Sequence, residues 1–169
     1  MITDEKGYVK KAVWDQFLSW FSPLVAPDMY QTNTNTDGWS IDVILEIVTP
    51  QWFHGFLESS NAQKSLKSKA DGTYLFRFST TNPGCYALSV AYSNTVGHWR
   101  ISCDKLPGRP CVFKIDGREY KSLKDIIQTH AFGREPLKIK QPKQGQASSC
   151  FLGNPLPRSG EMGELYQNI

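Results

Sequence analysis

One arginine stands in the middle of an alternating apolar stretch, Gly72-Thr73-Tyr74-Leu75-Phe76-Arg77-Phe78-Ser79. A charge flanked by two phenylalanines on a strand shares its face with Leu75 and Ser79, because side chains alternate with period two. If a helix covers that face, the guanidinium is buried and needs a carboxylate or a bound anion to compensate it. No acid lies nearby in sequence. The strand runs instead into Ser79-Thr80-Thr81-Asn82, small polar residues able to form an anion-binding loop. A phosphate monoester dianion is held best by a guanidinium fork with converging hydroxyls and backbone N–H groups. On these residues alone, a distant Asp or Glu partner for Arg77 remains as good an account as a phosphate.

The elements that must position Arg77 are readable from pattern. Trp14, Phe17, Leu18 and Phe21 recur at helical spacing, and the run stops at Ser22-Pro23. Gln31 to Gly38 reads as a loop, and Ser40 can cap a short helix carrying Ile41, Ile44, Leu45 and Val48, ended by Pro50. Ser60 to Lys69 reads as a helix. Thr73–Ser79, Cys85–Tyr92 and His98–Cys103 read as strands, the first two joined through Asn82-Pro83-Gly84. Asp116-Gly117 between Cys111–Ile115 and Arg118–Tyr120 is a short-hairpin signal. Leu123, Ile126, Ile127 and His130 mark a further helix. The order predicts an α+β fold: a central antiparallel sheet flanked by two helices, preceded by a small helical extension. Residues 1–49 are expected to form the extension and 50–142 the domain. Residues 143–169, rich in Gly, Pro, Ser and Gln, are expected to be a flexible tail.

These blocks carry a resemblance. Trp52-Phe53-His54-Gly55, then Leu57, Ala62 and Leu66, then the Arg77 stretch, then Gly84-Cys85-Tyr86-Ala87-Leu88-Ser89-Val90, then His98-Trp99-Arg100-Ile101, resemble successive segments of a Src-homology-2 domain. Tyr120, Leu123, Ile126 and Ile127 fit that family's last helix. The resemblance covers about 90 residues in order. It implies a non-catalytic module that binds phosphotyrosine peptides or proteins. Arg77 would hold the phosphate with two hydrogen bonds, Ser79 would contact it, and Thr80, Thr81 and Asn82 would form the phosphate loop. His98 and Arg100 match positions flanking the phosphotyrosine ring. For His98 a structural role competes and is favoured, whereas Arg100 is the better candidate for stacking on the ring. Trp99 and Ile101 would line the peptide groove.

The chain departs from the family pattern at Ser59, where many members carry a basic residue that helps grip the ligand. Arg100 or Lys64 would have to supply that contact. The tight Asp116-Gly117 turn and the short segment from Ala131 to Pro136 replace two loops that usually wall the pocket beyond the phosphotyrosine. A shallow groove with little selectivity for flanking residues is therefore expected. The extension has its own resemblance: Trp14, Gln16, Phe17, Trp20, Phe21 and Trp39, with Ile44-Leu45 and Ile47-Val48, are similar to the end of the linker region preceding this domain in STAT transcription factors.

Rival chemistry is thin. Cys103-Asp104-Lys105-Leu106-Pro107-Gly108-Arg109 fits the Cys-x5-Arg phosphate loop of tyrosine phosphatases, which needs an activated thiolate at a helix N-terminus. No His precedes this Cys, no Ser or Thr follows the Arg, and Arg109-Pro110 leads toward a strand. A degenerate module that only holds neighbouring segments is the other alternative. Tyr166, after acidic residues near the C-terminus, is a possible phosphorylation site whose phosphate could dock at Arg77 of the same or another copy. An inert exposed tyrosine is the favoured account of it.

Bulk properties narrow the partners. A net charge of +3 over 169 residues gives no argument for nucleic acid. The four cysteines form no CxxC pair and no metal-like group with the three histidines. They read as reduced thiols of a cytosolic protein, with no metal or cofactor. The first residues are charged and lack the apolar run of a signal peptide, and no stretch approaches a membrane span. The expected setting is cytoplasmic, in a eukaryotic cytosol, as a native signalling protein or a delivered bacterial effector.

Overall fold

The computed structural model describes residues 11–21, 24, 39–104, 111–139 and 148–158. Its centre is a five-stranded antiparallel sheet of β1 (Tyr74–Phe78), β2 (Tyr86–Tyr92), β3 (Thr95–Asp104), β4 (Val112–Ile115) and β5 (Arg118–Tyr120), in that spatial order. The long strand β3 serves two neighbours. Its residues 95–101 pair with β2, and Ser102, Cys103 and Asp104 pair with Lys114, Phe113 and Val112 of β4. Two-residue turns join β2 to β3 and β4 to β5. Ser93, Asn94, Asp116 and Gly117 all have positive φ, as turns that match the right-handed strand twist require.

The period-two alternation sorts the sheet into two faces. One carries Phe76, Phe78, Tyr86, Leu88, Val90, Trp99 and Ile101. They share a core with Leu123 and Ile126 of helix α4 (Leu123–His130). Helices α1 (Lys11–Phe21) and α2 (Ile41–Val48) join the same core. The Trp20 ring lies 4.5 Å from Phe78 and 5.6 Å from Tyr86, so the N-terminal extension closes this face. The other face carries Leu75 and Ala91, covered by Ala62 and Leu66 of α3 (Ser59–Leu66). Arg77 is on that second face, beneath a helix.

Two expectations need correction. The segment expected to be flexible from residue 143 is built into the domain over residues 148–158. Ser149–Cys150 (β7) pairs with Leu137–Lys138 (β6), and Leu152 is fully buried. Further along, Gly153 N donates to Gly72 O (2.8 Å), Leu156 N to Tyr74 O (2.7 Å) and Arg158 N to Gln51 O (2.9 Å). This strap covers the outer edge of β1, which would otherwise expose unpaired backbone groups. Gly72 permits the approach, since its φ is +86° and a Cβ there would sit 2.9 Å from Gly153 N. The Gly, Pro and Ser content that suggested a tail instead allows a close backbone-to-backbone fit. The cysteines also differ from expectation. Cys103 and Cys111 are joined in a disulfide with their Cα atoms 6.1 Å apart, and Cys85 and Cys150 are free. The β3–β4 register brings together two residues eight apart in sequence.

The buried histidines set a pH dependence. His54 Nε2 donates to Leu156 O (2.9 Å). His130 Nδ1 donates to Glu135 O, while its Nε2 accepts from the Tyr120 hydroxyl, each at 2.8 Å. Burial is the main cause that pushes both pKa values below the ordinary 6.5. The unfolded chain therefore binds more protons than the folded one once pH drops below about 6.5. Stability should fall on acidification from 7.5 to 5.5, with a slope bounded near 1.4 kcal/mol per pH unit per histidine. Urea midpoints measured across that range test this, and a flat profile would contradict it.

Candidate functional site

Arg77 is 5% exposed, yet no carboxylate pairs with it among the described residues. Its Nη1 donates to Leu57 O and Phe78 O, each at 3.3 Å, and its Nε is buried with no hydrogen-bond partner. Desolvation alone lowers its pKa. A buried guanidinium with a donor left over and no acid is the arrangement expected for an anion-binding group. The alternative left open by the sequence, a distant Asp or Glu partner, is not found among the described residues.

Ser79 organises the loop beside it. Its Oγ accepts from Asn82 N (3.1 Å) and lies 3.4 Å from Thr81 Oγ1, which accepts from Asn82 Nδ2 (3.0 Å). Ser79 N donates to Cys85 O (2.9 Å) and Cys85 N to Asn82 O (3.1 Å), so the turn is closed at its base. Ser79 is buried, whereas Thr80 and Thr81 are exposed at the rim and Asn82 is half-buried. Ser59 is half-buried in the first turn of α3, two residues after the Leu57 carbonyl that Arg77 contacts.

The strand register supplies the remaining donors. Arg77 pairs with Ala87, and Ala87 with Arg100, giving a row of Arg, Ala and Arg across three strands. The next row is Leu75, Ser89 and His98. Both Arg100 and His98 are exposed. His98 Nδ1 and the fully buried Ser89 Oγ are 2.8 Å apart. Desolvation on its protein side and the charge of Arg77 lower the His98 pKa, so its ring is neutral at pH 7. Buried Ala87 stands between Arg77 and Arg100 in this row. Sequence reasoning missed Ala87 and Ser89 as parts of the site, although strand parity from Arg77 could have found both.

Trp99 and Ile101, expected to line a groove, divide. Trp99 borders a recess of about 470 Å³ that also touches Arg100, Ser102, Lys114 and Ile139. Its indole lies over Gly97, where a Cβ would come within 2.6 Å of the ring, and its Nε1 donates to Lys138 O (3.0 Å). Ile101 is 0% exposed in the core and contacts no ligand surface. Cys103, the cysteine of the phosphatase-like pattern, lies on strand β3 with its sulfur bonded to Cys111 and is no nucleophile in that state. Arg109 and Tyr166 lie outside the described residues.

Part of the sequence matches a known family. Residues 52–130 match the family model of the SH2 domain. The dual specificity protein kinase shkA of Dictyostelium discoideum is 30% identical over 143 residues, covering 83% of this chain and 24% of that protein. The human dual adapter for phosphotyrosine and 3-phosphotyrosine and 3-phosphoinositide is 31% identical over 121 residues, covering 70% of this chain and 39% of that one. The chain thus spans well under half the length of these curated relatives. The solution structure of the Monosiga brevicollis CRK/CRKL homolog SH2 domain is 28% identical, with a TM-score of 0.49, covering 64% of this chain and 88% of that one. Residues 52–130, which hold Arg77, the Ser79 loop and Arg100, are an SH2 domain.

Proposed function

We propose that this chain is a non-catalytic module that binds tyrosine-phosphorylated peptides or proteins, with the phosphate held by Arg77. The observation that carries the reading is the buried guanidinium without a carboxylate, next to the hydroxyl-bearing loop organised by Ser79. The phosphate would take the Arg77 fork and hydroxyl or N–H donors of residues 79–82. The ring would lie over Ala87, with Arg100 stacked on it and His98 at its side. With Ser59 in place of a basic residue, Arg77 and Arg100 carry the positive charge of the grip. The phosphate would dominate the energy, and the recess beside Trp99 would add a weaker contact to peptide residues beyond the phosphotyrosine. The helical extension closes the opposite face of the sheet, which supports a linker-like role for it and leaves the Arg77 face to α3.

Calorimetric titration with a phosphotyrosine peptide and with its unphosphorylated form tests the reading. Binding only to the phosphorylated peptide is expected, and equal binding to both would favour a degenerate structural module. A second variant tests the ring site. Ala87→Leu enlarges the side chain that stands between Arg77 and Arg100 in their row. Crowding there should cost about ten-fold or more in phosphopeptide affinity, on the scale of ~1–3 kcal/mol for overfilled sites. Unchanged affinity in a folded Ala87→Leu protein would place the ring elsewhere.

A further inference from the structure

The Cys103–Cys111 disulfide packs against the edge of the core, and the residue before Cys103, Ser102, lines the recess. The β3–β4 ladder has three pairs: Ser102 with Lys114, Cys103 with Phe113, and Asp104 with Val112. The disulfide closes the outer end of this short ladder. The pair at its inner end, Ser102 and Lys114, lines the recess, as do Asp116 and Gly117 at the tip of the β4–β5 hairpin. Only the inner part of β3, residues 95–101, is held by the longer ladder with β2. Backbone pairing of the hairpin to β3 is only three pairs long and is reinforced by the Lys114–Asp104 ion pair and the covalent clamp, while Phe113, Ile115 and Tyr120 anchor its other face in the core. Arg77 and Ser79 are toward the other edge of the sheet, where Arg77 is held by β2 and the Leu57 carbonyl just before α3. Both bonded cysteines are half-buried, so a small thiol can reach them, and both pack against the main core. That core includes β1, β2 and α4, so the fold does not depend on the clamp.

We propose that Cys103 and Cys111 form a reversible thiol–disulfide pair that tunes how the recess holds peptide residues beside the phosphotyrosine, without altering the phosphate grip. This rests on the phosphotyrosine-binding function proposed for the Arg77 site. The exchange uses a low-molecular-weight thiol and its disulfide, such as glutathione. In oxidation, one cysteine thiolate attacks glutathione disulfide and expels one glutathione thiolate. The second cysteine thiolate then attacks the mixed disulfide and expels the other. Two protein thiols become one disulfide, and one glutathione disulfide becomes two glutathione thiols. The oxidised form presents a preorganised wall, so less ordering is needed on binding.

The test uses the whole chain, equilibrated in reduced or oxidised glutathione, with the bonded state read by mass. Two ligands are titrated: phenyl phosphate, and a phosphotyrosine peptide extending several residues past the phosphotyrosine. The extended peptide should bind the oxidised form about five-fold more tightly, the low end of ordinary coupling energies. Phenyl phosphate should bind both forms within two-fold. Cys111→Ser, and separately Cys103→Ala in case one variant fails to fold, should match the reduced protein under either condition. Equal peptide affinity in the two wild-type states would overturn the proposal while leaving the binding function intact. An oxidant response that persists in both variants would overturn it by assigning the effect to another thiol. If neither ligand binds in either state, the phosphotyrosine reading itself fails.

Discussion

Replacing Arg77 by alanine should weaken binding to a phosphotyrosine peptide by about 100-fold or more while leaving the free domain close to wild-type stability. Two charge-assisted hydrogen bonds at about 1.5–3 kcal/mol each set the affinity loss at roughly 3 kcal/mol or above. Arg77→Lys should fail nearly as badly, since an ammonium offers no planar fork. The stability half of the expectation comes from the free site. The guanidinium there is buried, unpaired with any carboxylate among the described residues, and has an unpartnered Nε. Removing it gives up two 3.3 Å bonds to Leu57 O and Phe78 O but also relieves a desolvated charge. A structural arginine would behave in the opposite way, because cutting one partner from a buried ion pair destabilises strongly. Urea unfolding with and without saturating phosphopeptide separates the two. Wild type should gain stability from ligand, and Arg77→Ala should gain almost none. Near-native affinity in the alanine variant would remove the basis of the binding assignment.

The range of each interaction decided whether the sequence disclosed it. Arg77 was visible because a charge between Phe76 and Phe78 breaks a local alternation, and because the turn residues after it are chemically distinctive. The Asp116-Gly117 hairpin was visible for the same reason, since the turn type dictates its own residues. Ile101 was misplaced because it shares strand parity with Trp99. Only the packing shows that Trp99, though buried, also borders the recess while Ile101 is sealed in the core. The disulfide was hidden because no CxxC or paired-cysteine framework announces it. It depends on a register that joins Cys103 to the strand beginning at Val112. The strap was hidden most thoroughly. Its pairings are two residues long or single bridges, such as Leu137 with Cys150 and Tyr74 with Pro155, to partners distant in sequence.

The strap gives the second large expectation: Leu152→Ala should lower stability by about 2–5 kcal/mol, the usual cost of truncating a buried leucine. Leu152 is 0% exposed. Its N–H donates to His130 O (2.8 Å), and its carbonyl accepts from Phe132 N (2.9 Å). It therefore ties the end of α4 to the segment that covers β1. A drop of that size shifts the melting temperature by roughly 4–20 °C, at ~2–4 °C per kcal/mol for a chain of this size. Phe151→Ala, at a neighbouring residue that is 40% exposed, is the matched control and should change far less. If the two variants melt alike, the strap is not part of the cooperative unit. The two large effects should also separate cleanly. Arg77→Ala removes affinity and spares the fold. Leu152→Ala weakens the fold, but at temperatures where it stays folded it should bind phosphopeptide as wild type does, because Arg77 is held by β2 and the residues leading into α3 rather than by the strap.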